Sequence, residues 1–186
     1  MTTGLIWMDW AVQAVSLFNA VVLVWLGLTV LLNADRRTGG IWLAGGGLLM
    51  GGAFFISHSA LLGHETSLLT TGQDFWWFAG WALVICLPFA WYIVMLWYTG
   101  FWEARRAEAA AERQLFQRPQ IWFALTMLFF SLLSGAVLFT PLLPPFTQLA
   151  QAGSTPAAGV TALSALYPIY ALLCMGLSID ALRNPV

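Results

Sequence analysis

His58 stands between Ser57 and Ser59 inside an apolar run that extends from Ile41 to Leu62. An imidazole in such a run has three uses: to ligate haem iron or chlorophyll magnesium, to titrate near neutral pH, or to hydrogen-bond a neighbouring helix. The metal role requires that a haem or chlorophyll be bound. His64 does not supply a second ligand, because it lies about 240° from His58 around a helix of 3.6 residues per turn. It falls beside Glu65 at the end of the run and reads as a solvated loop residue. The other polar residues that a bundle would bring to the same end are Asn19, Gln73 and Asp74, with Thr140 and Thr161. Walled by Trp76, Trp77 and Trp81, they would form a shallow pocket for a small ligand or a quinone head group. The plainer reading is a polar rim at a water interface. Asn19, Ser57, His58, Asp74 and Trp77 are therefore the candidate ligand-binding residues.

No catalytic set accompanies them. The apolar runs contain no paired carboxylates for acid–base work, and the chain has no HExxH, Walker, GxSxG or dinucleotide motif. Cys86 and Cys174 are single cysteines in apolar runs, without CxxC or zinc spacing. The expectation is a protein that is not an enzyme, and the sequence requires no cofactor.

What must position these residues is a set of membrane helices. The 186-residue chain is 60% hydrophobic and 8% charged, with a mean hydropathy of +0.80. That composition belongs to integral membrane proteins. A net charge of −1 gives no case for nucleic acid. Apolar runs cover 12–32, 41–62, 75–99, 120–140 and 157–182, each long enough at ~1.5 Å per residue to cross a bilayer. The fold expected is an all-α membrane bundle of five transmembrane helices, one domain over 1–186, organised around the second run. Trp7 and Trp10 precede the first run as an interfacial anchor. Loops 33–40 and 101–118 hold six of the seven arginines, and Arg183 follows the last run. The positive-inside rule then places the N-terminus outside and the C-terminus in the cytoplasm. No cleavable signal peptide is expected, since the N-terminus lacks a basic region.

Three further features carry expectations. Gly40, Ala44, Gly47 and Gly51 share one helical face with His58, and small residues let membrane helices approach closely. That face reads as a helix contact or, alternatively, as a seat for a flat lipid or cofactor. Pro88 and Pro168 fall inside the third and fifth runs and should kink them; Pro88 also frees the carbonyl of Val84. Segment 101–118 reads as a solvated, cytoplasmic helical extension, and loop 141–156 as an uncharged connection stopped by prolines 141, 144 and 145. Besides the lipid bilayer, protein partners are expected on the glycine face, loop 141–156 or segment 101–118.

Three stretches together resemble the N-terminal multi-pass membrane region of bacterial sensor proteins, including sensor histidine kinases. They are LVWLGLTVLLNADRRTGGIWLAGGGLLMGGAFFISHSALLG, DFWWFAGWALVICLPFAWYIVMLWYTGFWE and LYPIYALLCMGLSIDALRNP. The resemblance covers most of the chain and implies a non-catalytic module for sensing or protein interaction. It also implies a cytoplasmic output domain, whereas this chain ends at Val186 without one. The alternative is an accessory subunit of a photosynthetic or respiratory membrane complex. A haem- or quinone-binding redox protein ranks last.

Overall fold

Five apolar runs become five long helices. The computed structural model describes residues 3–34, 38–62, 72–103, 118–140, 142–152 and 158–184. The helices are α1 (Thr3–Leu32), α2 (Gly39–Leu62), α3 (Gln73–Tyr98), α4 (Arg118–Phe139), the short α5 (Phe146–Ala152) and α6 (Ala158–Arg183). Among the described residues all regular structure is helical, and every helix but α5 is long and apolar enough to cross a membrane. The arginines of the first loop (35–37), the connection 63–71 with His64 and Glu65, residues 104–117 of the charged segment, Pro141, and 153–157 lie outside the described residues.

Most helix bounds fall within two residues of the apolar runs; α1 does not. It starts at Thr3 rather than Val12, because nothing between them stops a helix. Trp7 and Trp10 are thus helical residues, 76% and 63% exposed. Helix α5 lies where an irregular loop was expected. The Pro145 carbonyl accepts from the backbone N–H groups of Gln148 (3.1 Å) and Leu149 (3.2 Å). Pro144 and Pro145 therefore end one segment and lead into the next, as proline does at helix starts. Helices α3 and α6 run on through Pro88 and Pro168.

The helix on which the others gather is α3, not α2. α3 packs against α2, α4, α5 and α6, whereas the extensive contacts of α2 are with α1 and α3. Ile85, Tyr92 and Leu96 of α3 share a core with Leu133 and Val137 of α4 and with Leu163, Tyr170 and Cys174 of α6. Phe89 stacks on Phe130 at 4.5 Å. The buried Tyr170 hydroxyl donates to the Ile85 carbonyl at 3.0 Å, stitching α6 to α3. At the start of α6 the backbone comes so close to the preceding segment that a Cβ on Gly159 would lie 1.8 Å from the Leu142 carbonyl oxygen.

The α1–α2 pair is built differently. Gly45, Gly52 and Ser59 repeat every seven residues, about two helical turns, and all three are buried against α1. A Cβ on Gly45 would meet Leu31 at 2.6 Å, and one on Gly52 would meet Val24 at 2.6 Å. Gly27 answers from α1, where a Cβ would meet Leu49 at 2.9 Å and the Gly45 carbonyl at 3.1 Å.

The stripe Gly40, Ala44, Gly47, Gly51 has no single partner. Gly40 lies under the Trp97 indole of α3, and Gly51 near Leu23 and Leu87. At Gly47 a Cβ would meet nothing within 4 Å. Close approach is found at Gly40 and Gly51, while Ala44, Gly47 and Gly51 also line an apolar groove of about 370 Å³ between α1, α2 and α3. Helix α1 packs one residue along, on the 45/52/59 face.

Candidate functional site

A second cavity, of about 330 Å³, opens between α2, α3 and α6. Helix α2 gives it Phe54 and His58, α3 gives Trp77, Gly80, Trp81 and Val84, and α6 gives Ser164 and Tyr167. Its walls are mainly aromatic. Trp77 and Trp81 meet edge to face at 5.9 Å, and Phe54 stacks on the His58 ring at 6.0 Å. Gly80 is buried and opens space beside α2, since a Cβ there would touch only Ser57 at 3.4 Å.

Of the five candidate ligand-binding residues, the structure brings His58 and Trp77 to this cavity. Ser57 is fully buried, and its hydroxyl donates to the Trp76 carbonyl at 2.6 Å, tying α2 to α3. Asp74 reaches across to the start of α5. Its carboxylate accepts from the Thr147 backbone N–H at 3.1 Å and from the Thr147 hydroxyl at 3.2 Å. That satisfies one of the N–H groups a helix start leaves over. Asn19 is half-buried on α1 and does not line the cavity. Thr140 is exposed and turns its hydroxyl back to the Ala136 carbonyl. The expected cluster of polar side chains is thus dispersed: Ser57 and Asp74 bond a backbone group of a neighbouring element, and Thr140 one of its own helix.

His58 is held by a small network facing α1. The Ser16 hydroxyl oxygen lies 3.2 Å from the Phe55 carbonyl, 3.0 Å from the Ser59 hydroxyl and 3.1 Å from His58 Nδ1. A hydroxyl has one proton and two lone pairs. All three contacts are hydrogen bonds together only when Ser16 donates to Phe55 and accepts from Ser59 and from Nδ1–H. That arrangement puts a proton on Nδ1, and Nε2 has no hydrogen-bond partner among the described residues.

Trp77 links the cavity to the α5 segment. Its indole N–H donates to the Pro144 carbonyl at 3.1 Å, and its ring lies 5.8 Å from that of Phe146. With Asp74, it pins residues 144–147 over the end of α3.

Sequence reasoning missed Tyr167, Ser164, Phe54, Gly80 and Val84 as wall residues. A signal was present for two of them: Val84 and Ser164 each lie four residues before a helical proline. Among the described residues no three His, Cys, Asp or Glu side chains gather closely enough to hold a metal ion. Comparison of the chain with protein-family models, curated proteins and solved structures finds no match.

Proposed function

We propose that the chain is a non-catalytic multi-pass membrane module that senses or binds a small lipid-soluble molecule in the cavity between α2, α3 and α6. The observation that carries this reading is the position of Trp77. It forms a wall of the cavity and also holds the α5 segment through Pro144 and Phe146. A molecule that shifts Trp77 would loosen or tighten α5, so occupancy at membrane depth becomes a change at the bundle end. This is the behaviour of an input region, as the resemblance to bacterial sensor proteins implies. In this reading the N-terminus and α5 lie outside and the C-terminus in the cytoplasm, following the arginine distribution, and the membrane is a bacterial inner membrane, as the resemblance implies.

Ligand-dependent thermal stability in lipid nanodiscs tests the reading. Apolar ring compounds should raise the melting midpoint of the native chain and leave Ser164→Trp, which fills the cavity from an exposed wall position, unchanged. They should also alter hydrogen exchange in 146–152. If no compound separates the two proteins, the cavity is packing space and the reading fails.

A second reading, an accessory subunit of a larger membrane complex, is favoured by α1. Phe18, Val21 and Trp25 are each more than 60% exposed on that helix, a broad aromatic and apolar face for a partner subunit. Gentle purification from native membranes decides for it if a stoichiometric partner crosslinks to Trp25 and against it if only lipid does.

A further inference from the structure

The cavity between α2, α3 and α6 and the groove between α1, α2 and α3 adjoin through a third hollow. This one, of about 300 Å³, lies between α1 and α2, with Val12, Val15 and Ser16 on one side and Phe55 and His58 on the other. Phe55 also lines the groove, and His58 also lines the α2/α3/α6 cavity. The three hollows thus follow one another along α2, each neighbouring pair sharing a ring as its wall. Their floor is a single stripe: Ala44, Gly47, Gly51, Phe55, His58 and Leu61 recur every three or four residues. The α3 wall runs in the opposite sense, from Val94, Trp91 and Leu87 beside the groove to Val84, Gly80 and Trp77 beside the cavity. The closeness of Gly51 to Leu87 and of Gly80 to Ser57 fixes that antiparallel register.

From Ala44 to Leu61 the floor is about 26 Å long at ~1.5 Å per residue, close to the ~30 Å of a bilayer's hydrocarbon core. Its walls are almost wholly apolar, and the polar side chains of the middle hollow, Ser16 and His58, bond each other. Trp91 and Val15, on its rims, are 58% and 59% exposed, so the furrow opens sideways to lipid. A compact ring fills one hollow, whereas an unbranched chain makes contacts along all three. The acyl chains of a phospholipid stop at mid-bilayer, about half of that depth.

Taking the cavity as the ligand site proposed above, we infer that its ligand carries a single long hydrocarbon chain. The chain lies along α2 from the cavity, past His58 and Phe55, into the groove.

The test uses palmitic acid carrying a photoreactive diazirine either near its carboxyl group or near its methyl end. Each probe is added to the full chain in nanodiscs, and crosslinked residues are mapped by mass spectrometry. The two probes should label opposite ends of the furrow, one 54–61 and 77–84, the other 44–51 and 87–94, and excess unlabelled palmitate should displace both. Gly47→Leu places a side chain in the groove, where a Cβ meets nothing within 4 Å. It should cut labelling of 87–94 about tenfold and leave 77–84 within about twofold of native. Ala44→Leu, farther along the groove, gives the same reading if Gly47→Leu fails to fold. Displaceable labelling confined to 54–61 and 77–84 with both probes would overturn the inference while leaving the cavity as a ligand site. Labelling of 87–94 that excess palmitate does not displace, or that both substitutions leave intact, would mean that bilayer chains alone fill the groove and would overturn it too. Absence of displaceable labelling at every position would also overturn it, and the melting test with ring compounds would then decide the cavity by itself.

Discussion

The two sides of α2 carry similar small residues and do opposite things with them. Toward α1, Gly45 and Gly52 bring two backbones together, and a single added carbon would sit within 2.6 Å of a neighbouring side chain. Around the helix, Ala44, Gly47 and Gly51 leave a groove of about 370 Å³ that α3 does not fill. Glycine in a membrane helix permits close approach, but it does not enforce it. What decides is whether the facing helix offers a matching row. Helix α1 does so with Ser16, Ala20, Val24, Gly27 and Leu31, all of which meet the 45/52/59 face. Helix α3 instead presents Leu87, Trp91 and Val94, which line that groove.

The comparison is broken most forcefully at Gly52. Gly52→Leu should destabilise the protein by about 3 kcal/mol or more, because its Cβ meets Val24 and approaches the Ala20 carbonyl at 3.4 Å. Denaturant titration of helicity in detergent micelles measures this; a loss below about 1 kcal/mol would mean that α1 can move away freely. Tyr170→Phe should have a middling effect, about 1–2 kcal/mol, since it removes one buried hydroxyl and orphans no donor. The same titration applies, and an unchanged midpoint would show that the α3–α6 seam rests on ring packing alone. The smallest effect is expected at Gly47. Gly47→Ala should lie within about 0.5 kcal/mol of the native protein, or slightly above it through helix propensity. A loss comparable to that of Gly52→Leu would erase the distinction between the two faces.

The number and extent of the long helices were legible because twenty-residue apolar runs have few other uses. Which face of each helix meets which neighbour was much less legible. In a soluble protein the buried face stands out by polarity; in a membrane helix every face is apolar, and packing must be read from small residues alone. The seven glycines of α2 offer more than one stripe, and 40/44/47/51 competes with 45/52/59. Only the matching row on α1 separates them. His58 and Trp77 were found at the cavity because an imidazole and an indole stand out in an apolar run. Asp74 and Ser57 were grouped with them on polarity, but each bonds a backbone group that sequence spacing does not reveal. Helix α5 was missed because its prolines signalled a stop and equally mark a start.

The packing of α1 bears on how the protein is made. Among the described residues its extensive contacts are with α2, the next helix in the chain. Once residue 62 has left the ribosome, both halves of the seven-residue glycine seam are present, along with Ser16, Ser59 and His58. The first hairpin can therefore close as a unit during synthesis. Helix α3 must wait for α6 before Tyr170 can reach Ile85, which lies 85 residues earlier in the chain. The order of these contacts along the chain lets the hairpin form first, whereas the cavity between α2, α3 and α6 cannot form until α6 is present.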